Sequence, residues 1–421
     1  RCWLLCRPSQ PHACCHGRRC RRHIAVHPTL PYMAQGAAMA IEDAAILSRA
    51  LQLPQPLADV LKIYERHRAP RTARVVLGFD QDCSVAVNAR RGSARRHGAV
   101  LLDLSPFTKI DVSGADALKL LNHLATAQMD VPVGRAVYTL MLNGKGGIEA
   151  DVTVTRLAED RFRIVSGAAT RRRDIALLRR AAKSMAVTLE DRTEDFCVIG
   201  VMGAASRALL SSLSLDDWTD FPFSTAREVK VAGIPCLATR LSYVGELGWE
   251  LTIANEHAAK IFEALIAANA KPMGHYALNG CRIEKGYRHW GHDLGPEITP
   301  LEAGLGFAID WSKEFRGKST LEKQKQNGLT QRLVLLNVEG HPLIVHDEPV
   351  MENGKVVGLT TSGAKGVRTG LTLALALVAV RPDETLAQTA ARKFELDVAG
   401  TTYTAAVLLK PPYDLLAERM R

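Results

Sequence analysis

The chain has 421 residues, a formal net charge of +10, 47% hydrophobic residues and 23% charged residues. That length holds two or three domains with ample core. Its longest apolar stretch, residues 371–380, is far short of the ~20 residues a membrane helix needs and reads as a buried strand.

Residues 1–26 hold six arginines and no acid, so six of the ten net charges sit there and the total is no sign of nucleic-acid binding. Five of the nine cysteines are here too: Cys2, Cys6, Cys14, Cys15 and Cys20, with His16 and His23 nearby. Their spacing forms no paired C-x-x-C pattern and no apolar period surrounds them, so no metal site is expected. The Arg-rich, acid-poor character is that of a transit peptide, but the cysteines and the missing initiator methionine argue otherwise. The segment is unassigned and expected to be disordered.

Residues 27–80 begin His27-Pro-Thr-Leu-Pro-Tyr-Met-Ala-Gln-Gly-Ala-Ala-Met-Ala-Ile-Glu-Asp-Ala44, where the Gln35-Gly36-Ala37 turn opens a helix. Its unpaired N–H groups can face a bound ligand. With Tyr64-Glu-Arg-His-Arg-Ala-Pro-Arg71, residues 27–76 resemble the C-terminal part of salicylate hydroxylase-type FAD monooxygenases. Ala25-Val26 stand where that family has a Gly-Asp pair, and the chain has no G-x-G-x-x-G fingerprint. A truncated helical flavoprotein fragment is therefore expected, with FAD not bound by this chain alone. The abrupt change before His27 is expected to mark a frameshift or an artificial gene start. Residues 81–97, with Ala89-Arg-Arg-Gly-Ser-Ala-Arg-Arg96, read as a solvated linker, since four arginines without aromatics make no nucleic-acid patch.

Beyond the linker, helical spacing runs over residues 115–127 (Leu118, Leu121, Leu124), 174–186 and 258–268. Residues 331–410 read as short strands between Gly, Asn and Pro turns. The mixture predicts an α+β body with a small C-terminal β-barrel. Three segments carry the chemistry. Tyr138-Thr-Leu-Met-Leu-Asn-Gly-Lys-Gly-Gly-Ile-Glu-Ala-Asp151 predicts a strand to Asn143, a glycine-rich turn, and a second strand through Val152 and Val154. Asp151 stands where that hairpin re-enters the sheet, as a carboxylate with a task or as a turn cap. Arg240-Leu-Ser-Tyr-Val-Gly-Glu-Leu-Gly-Trp-Glu-Leu-Thr-Ile253 puts Glu246 on a turn between apolar runs. Arg282-Ile-Glu-Lys-Gly-Tyr-Arg-His-Trp-Gly-His-Asp293, followed by Thr299-Pro-Leu-Glu-Ala-Gly-Leu305, mixes rings with fixed charges. A pocket for a flat, polar, acidic ligand needs that mixture.

In this order the three segments resemble the aminomethyltransferase family, that is, the glycine-cleavage T-protein and the folate-binding half of sarcosine and dimethylglycine dehydrogenases. Gly98-Ala-Val-Leu-Leu-Asp-Leu-Ser-Pro-Phe-Thr-Lys-Ile-Asp-Val-Ser-Gly114, Phe315-Arg-Gly-Lys-Ser-Thr-Leu321, Gly358-Leu-Thr-Thr-Ser-Gly363 and Pro411-Pro-Tyr-Asp-Leu415 extend the likeness over roughly residues 98 to 421. The forms Arg-Ile-Glu-Lys-Gly-Tyr-Arg-His-Trp-Gly and Tyr-Val-Gly-Glu-Leu-Gly-Trp-Glu, and Ala150 in place of an acid common in T-proteins, are those of the dehydrogenase-linked branch. The resemblance implies a three-lobed fold with folate in a central opening: residues 98–330 as the folate-binding domain and 331–421 as the barrel. It implies tetrahydrofolate as cofactor and a one-carbon transfer to 5,10-methylenetetrahydrofolate. Asp151 would be catalytic, orienting the pterin and stabilising charge as N5 attacks a one-carbon unit. Glu246 would accept the paired pterin donors. Arg282 and Arg288 would take the carboxylates of the glutamyl tail or hold Glu246. Tyr138 and Trp290 would offer stacking surface or be plain buried aromatics, and Asn143 completes the cofactor-binding candidates. The expected partners are the folate, a one-carbon donor and, within this resemblance, a flavoprotein dehydrogenase subunit, in the cytoplasm, with no nucleic acid or membrane. A folate-binding protein without catalysis, and a remnant of an FAD-dependent oxidoreductase, are the alternatives. The folate-binding helpers of iron–sulfur assembly carry a Lys-Gly-Cys-Tyr motif, where this chain has Lys285-Gly-Tyr-Arg288.

Overall fold

The computed structural model describes residues 98–420. The expectations for residues 1–97, the flavoprotein-like fragment and the linker among them, lie outside the described residues.

Two open sheets and a barrel carry the fold. The first sheet has the strand order β11-β1-β7-β10-β9-β8. Its members are β1 (Val100–Asp103), β7 (Phe196–Met202), β8 (Ala226–Val231), β9 (Ile234–Thr239), β10 (Gly248–Ala254) and β11 (Lys271–Pro272). The second has the order β3-β4-β5-β2-β6, from β2 (Thr108–Ser113), β3 (Ala136–Leu142), β4 (Ile148–Ala158), β5 (Arg161–Ser166) and β6 (Thr188–Asp191). The barrel closes through β12 (Gln331–Val338), β15 (Thr372–Ala379), β14 (Lys355–Lys365), β13 (Pro349–Glu352), β16 (Phe394–Val398) and β17 (Thr401–Leu408). Closure leaves that small unit no sheet edge.

Alternation along the strands decides which face is core. In β10, Trp249, Leu251 and Ile253 are buried in one cluster with Trp218, Phe221, Ile261 and Leu265. Trp218 meets Trp249 edge-on with centroids 5.4 Å apart. The helices α3 (Ser206–Ser212) and α4 (Ala258–Ala267) contribute Leu209, Leu210, Ile261 and Leu265 to this cluster. In β4, Ala150, Val152 and Val154 join a second core with Leu120, Leu121 and Leu124 of α1 (Ala117–Leu124) and Leu177 and Leu178 of α2 (Arg171–Ala181). With a period of two, Glu149, Asp151 and Thr153 must then point away from that core.

The helical segments at 117–124 and 258–267 lie within the predicted spans. α2 starts three residues before the predicted span and ends five residues before its end. The 3-10 turn Ala168–Thr170 starts the coil early, and beyond Ala181 the backbone leaves the helix through two tight turns. Asp151 is the fourth residue of β4, inside the ladder opposite Leu140, and so is no cap of the hairpin turn. α5 (His275–Glu284) carries Arg282. Two further helices, α6 (Lys318–Asn327) and the short α7 (Leu386–Ala390), complete the set, and none of the described helices is long and apolar enough to cross a membrane.

Candidate functional site

The glycine-rich turn after β3 is shaped by close packing. A Cβ on Gly147 would lie 1.8 Å from the Pro296 carbonyl oxygen, so only glycine allows the segment after residue 290 to lie on the hairpin. Asn143 belongs to this joint. Its Nδ2 donates to the Pro296 carbonyl at 2.9 Å, and its Oδ1 accepts from the Lys145 and Gly147 amides at 2.8 and 2.9 Å. Its side chain is thus occupied with backbone. Trp290 behaves similarly: its Nε1 donates to the Ile148 carbonyl at 3.1 Å, and the Arg173 guanidinium lies 3.9 Å from the centre of its ring.

Asp151 and Tyr138 do meet. They lie diagonally across β3 and β4, with the Tyr138 hydroxyl 3.5 Å from Asp151 Oδ2. Burial pushes the Asp151 carboxyl up to about 6; the hydrogen bond from its own backbone amide and the Tyr138 contact oppose this, and the charge of Asp174 adds to it. Burial also drives the Tyr138 phenol well above its ordinary value, and its electrostatic neighbours are Asp151, Tyr243 and Arg288. One edge of Tyr138 remains open (36% exposed), and its ring stacks at 6.4 Å on Phe307, itself exposed. Tyr243, from the turn that holds Glu246, donates to the Arg288 carbonyl at 2.7 Å and stacks on Tyr287 at 5.9 Å. Arg288 donates to the Ala303 and Gly286 carbonyls at 3.0 and 2.6 Å and forms no ion pair among the described residues. Tyr138, Asp151, Tyr243 and Arg288 therefore form one centre, with a guanidinium that lacks a carboxylate.

Glu246 forms the second. The tight turn holding it needs Gly245 at φ +73°, where a Cβ would fall 2.4 Å from Lys285 Cγ. Glu246 is buried, and its Oε1 accepts from the Tyr413 hydroxyl at 2.5 Å and from Arg368 Nη2 at 2.8 Å. Arg368 comes from the β14–β15 loop of the barrel, and Tyr413 from the chain beyond β17. Sequence reasoning missed both, together with Tyr243. Tyr243 and Tyr413 stand inside the quoted motifs, whereas Arg368 sits in a Gly-Val-Arg-Thr-Gly loop with no signal. Glu250 was also passed over: burial alone pushes its carboxyl up to about 7.

Arg282 is directed elsewhere than the predicted anion. It pairs with Asp293 at 2.6 Å, donates to Asn279 Oδ1 at 2.7 Å and to the Tyr287 carbonyl at 2.9 Å. Asp293, completely buried, also accepts from the His289 amide at 2.9 Å, Thr361 Oγ1 at 2.5 Å and Ser362 Oγ at 2.7 Å. A bulge in β14 between Thr360 and Ser362 brings two successive hydroxyls onto the same acid. Burial raises the Asp293 pKa, but Arg282 and these donors outweigh it and hold the carboxyl below its ordinary value. Glu284 accepts the Arg368 and Thr369 amides at 3.0 and 3.1 Å, and Lys285 donates to the Asp414 carbonyl at 2.7 Å. Arg282, Glu284, Lys285 and Asp293 thus fasten the barrel and the C-terminal segment to α5, while Arg288 of the same stretch does not. An open groove of about 670 Å³ on the barrel, lined by His292, His346, Asp347 and Leu359 among others, holds none of the predicted site residues.

The GCVT N-terminal domain matches residues 62–313, and the glycine cleavage T-protein C-terminal barrel domain matches residues 331–414. The chain is 41% identical over 342 residues to 4-methylaminobutanoate oxidase (formaldehyde-forming) of Paenarthrobacter nicotinovorans, covering 79% of this chain and 41% of that protein. Mitochondrial sarcosine dehydrogenase of Mus musculus is 34% identical, covering 76% and 38%. The aminomethyltransferase of Listeria welshimeri is 32% identical, covering 72% and 84%. The chain thus spans about two fifths of the length of the first two relatives. The crystal structure of the glycine cleavage system aminomethyltransferase T from Bartonella henselae superposes with a TM-score of 0.71 at 23% identity, over 80% of this chain and 89% of that one, and so has the same fold. None of these matches carries the likeness of residues 27–76 to ring hydroxylases. With its two domains matched in order along the chain, it belongs to the glycine cleavage T-protein family of aminomethyltransferases.

Proposed function

We propose that this chain is a tetrahydrofolate-dependent one-carbon transferase module that forms 5,10-methylenetetrahydrofolate. The observation that carries the reading is the Asp151 carboxyl, turned away from the core of its sheet and lifted to about 6, with the Tyr138 hydroxyl as its side-chain partner. Around it the residues fit a reduced folate: Arg288 without an ion pair, the open edge of Tyr138, and Glu246 with bonds on one oxygen only. Tetrahydrofolate, when bound, supplies the nitrogen nucleophiles that accept the carbon unit. Asp151 near neutral pH is largely ionised and stabilises positive charge that appears during transfer, where low surrounding polarity strengthens its effect. Tyr138 orients that carboxylate. Glu246 accepts the paired donors of the pterin edge, and Arg288 is the better of the two predicted arginines for a carboxylate of the ligand, because Arg282 is already paired. Trp290 and Asn143 act through the hairpin rather than on the ligand.

The carbon donor is formaldehyde or an iminium carbon, delivered by a flavin-dependent demethylation of sarcosine, dimethylglycine or a related secondary or tertiary amine. The flavin belongs to a partner or to sequence beyond this body. The test is formation of 5,10-methylenetetrahydrofolate from formaldehyde and tetrahydrofolate, corrected for the spontaneous reaction. Saturable acceleration by the purified chain supports the reading. Tight folate binding with no acceleration would make it a folate-binding protein instead, and stoichiometric FAD retained through gel filtration would overturn the absence of flavin.

A further inference from the structure

We propose that Arg368 is a stand-in for the ligand on Glu246: its guanidinium holds the buried carboxylate while the site is empty and leaves when the paired donors of a reduced pterin arrive. This rests on the proposed role of Glu246 and adds a second state to it. A carboxylate as enclosed as Glu246 is costly to leave without a cation or donors. A guanidinium and the 2-amino-pyrimidine edge of a pterin present the same chemistry, two adjacent N–H donors in one plane. Glu246 Oε1 already receives two bonds, from Tyr413 at 2.5 Å and Arg368 at 2.8 Å. A ligand that pairs with both carboxylate oxygens needs one of those bonds removed.

Arg368 is the partner free to leave. Its side chain is 35% exposed against 9% for that of Glu246, so solvent can receive the displaced guanidinium. Its backbone cannot follow, because Glu284 grips the Arg368 and Thr369 amides and the Thr369 hydroxyl, and a Cβ on Gly366 would strike Thr369 Oγ1 at 2.3 Å. Tyr413 is tied through its amide to the Glu284 carbonyl at 3.3 Å, and its neighbour Asp414 to Lys285. The exchange is therefore a side-chain movement on a fixed frame. It leaves the carboxylate paired in both states.

The consequence has an unusual sign. Removing Arg368 tightens folate binding, because the ligand no longer competes for Glu246. Arg368→Met keeps the packing of the stem. For one half-exposed charge-assisted bond, roughly three- to tenfold tighter binding of tetrahydrofolate is expected by calorimetry. The ligand-free melting temperature should fall, and the rise on adding folate should grow. Binding that is unchanged or weaker in Arg368→Met overturns the proposal and makes Arg368 a ligand contact or an inert neighbour. Wild-type protein that binds no tetrahydrofolate defeats the proposed function itself. Wild-type binding that survives intact in Glu246→Gln defeats the role of Glu246 and this inference with it.

Discussion

Between Arg282 and Asp293, each of Arg282, Glu284, Lys285 and Asp293 ends on a protein partner, and together they hold α5, the barrel and the C-terminal segment in register. On the far side of β4 from its core, Asp151 meets only its own backbone amide and, at 3.5 Å, the Tyr138 hydroxyl, and its carboxyl is lifted to about 6. The first stretch has the charge and aromatic density of a ligand pocket in sequence. Yet burial forces dense charge to find partners inside the protein, and a charge so paired has little left for a ligand. The group suited to chemistry is the one whose surroundings leave it under-satisfied.

The largest effect that would test this contrast is Arg282→Met. It leaves the wholly buried Asp293 with neutral donors alone, and a loss of about 3–5 kcal/mol is expected. Urea denaturation measures it, and a shift below about 1 kcal/mol would mean that the segment is not a structural joint. Next is Asp151→Asn, expected to slow methylene transfer by roughly 10²–10³-fold with folate affinity little changed. Its stability should carry the opposite sign. With its pKa raised from 3.8 to about 6 in the folded chain, Asp151 favours the native state below pH ~4, and that contribution is lost as pH rises through about 6. Melting curves should therefore show wild type losing ground to the variant between pH ~4 and ~7, and parallel curves would remove the carboxyl from the enclosed site. Glu284→Gln should cost about 1–2 kcal/mol, since its amide oxygen can keep the Oε2 bonds but loses the charge, and its NH2 then faces the Arg368 amide at the Oε1 position. The smallest is Trp290→Phe, which removes the bond to the Ile148 carbonyl for about 1 kcal/mol. A large loss of folate affinity in that variant would return Trp290 to the ligand.

Much of the frame was legible in sequence. The hairpin from Tyr138 through the glycine turn, the helices at 117–124 and 258–267, the turn at Glu246 and the C-terminal barrel all follow from local periodicity and turn chemistry. So does the side of β4 on which Asp151 lies, because Ala150, Val152 and Val154 must face the core. The pairing of charges was not. In sequence Arg282 reads as a ligand arginine, whereas in the fold it pairs with Asp293, eleven residues on, a buried acid that also accepts the two hydroxyls of the β14 bulge. Arg368 and Tyr413 reach Glu246 across 122 and 167 residues, from a loop and a tail without periodicity. Periodicity is a property of neighbours in the chain and fixes which face is buried. Which donor satisfies which buried carboxylate is decided only when distant segments compete for it in the folded protein, and here that competition separates the joint from the site.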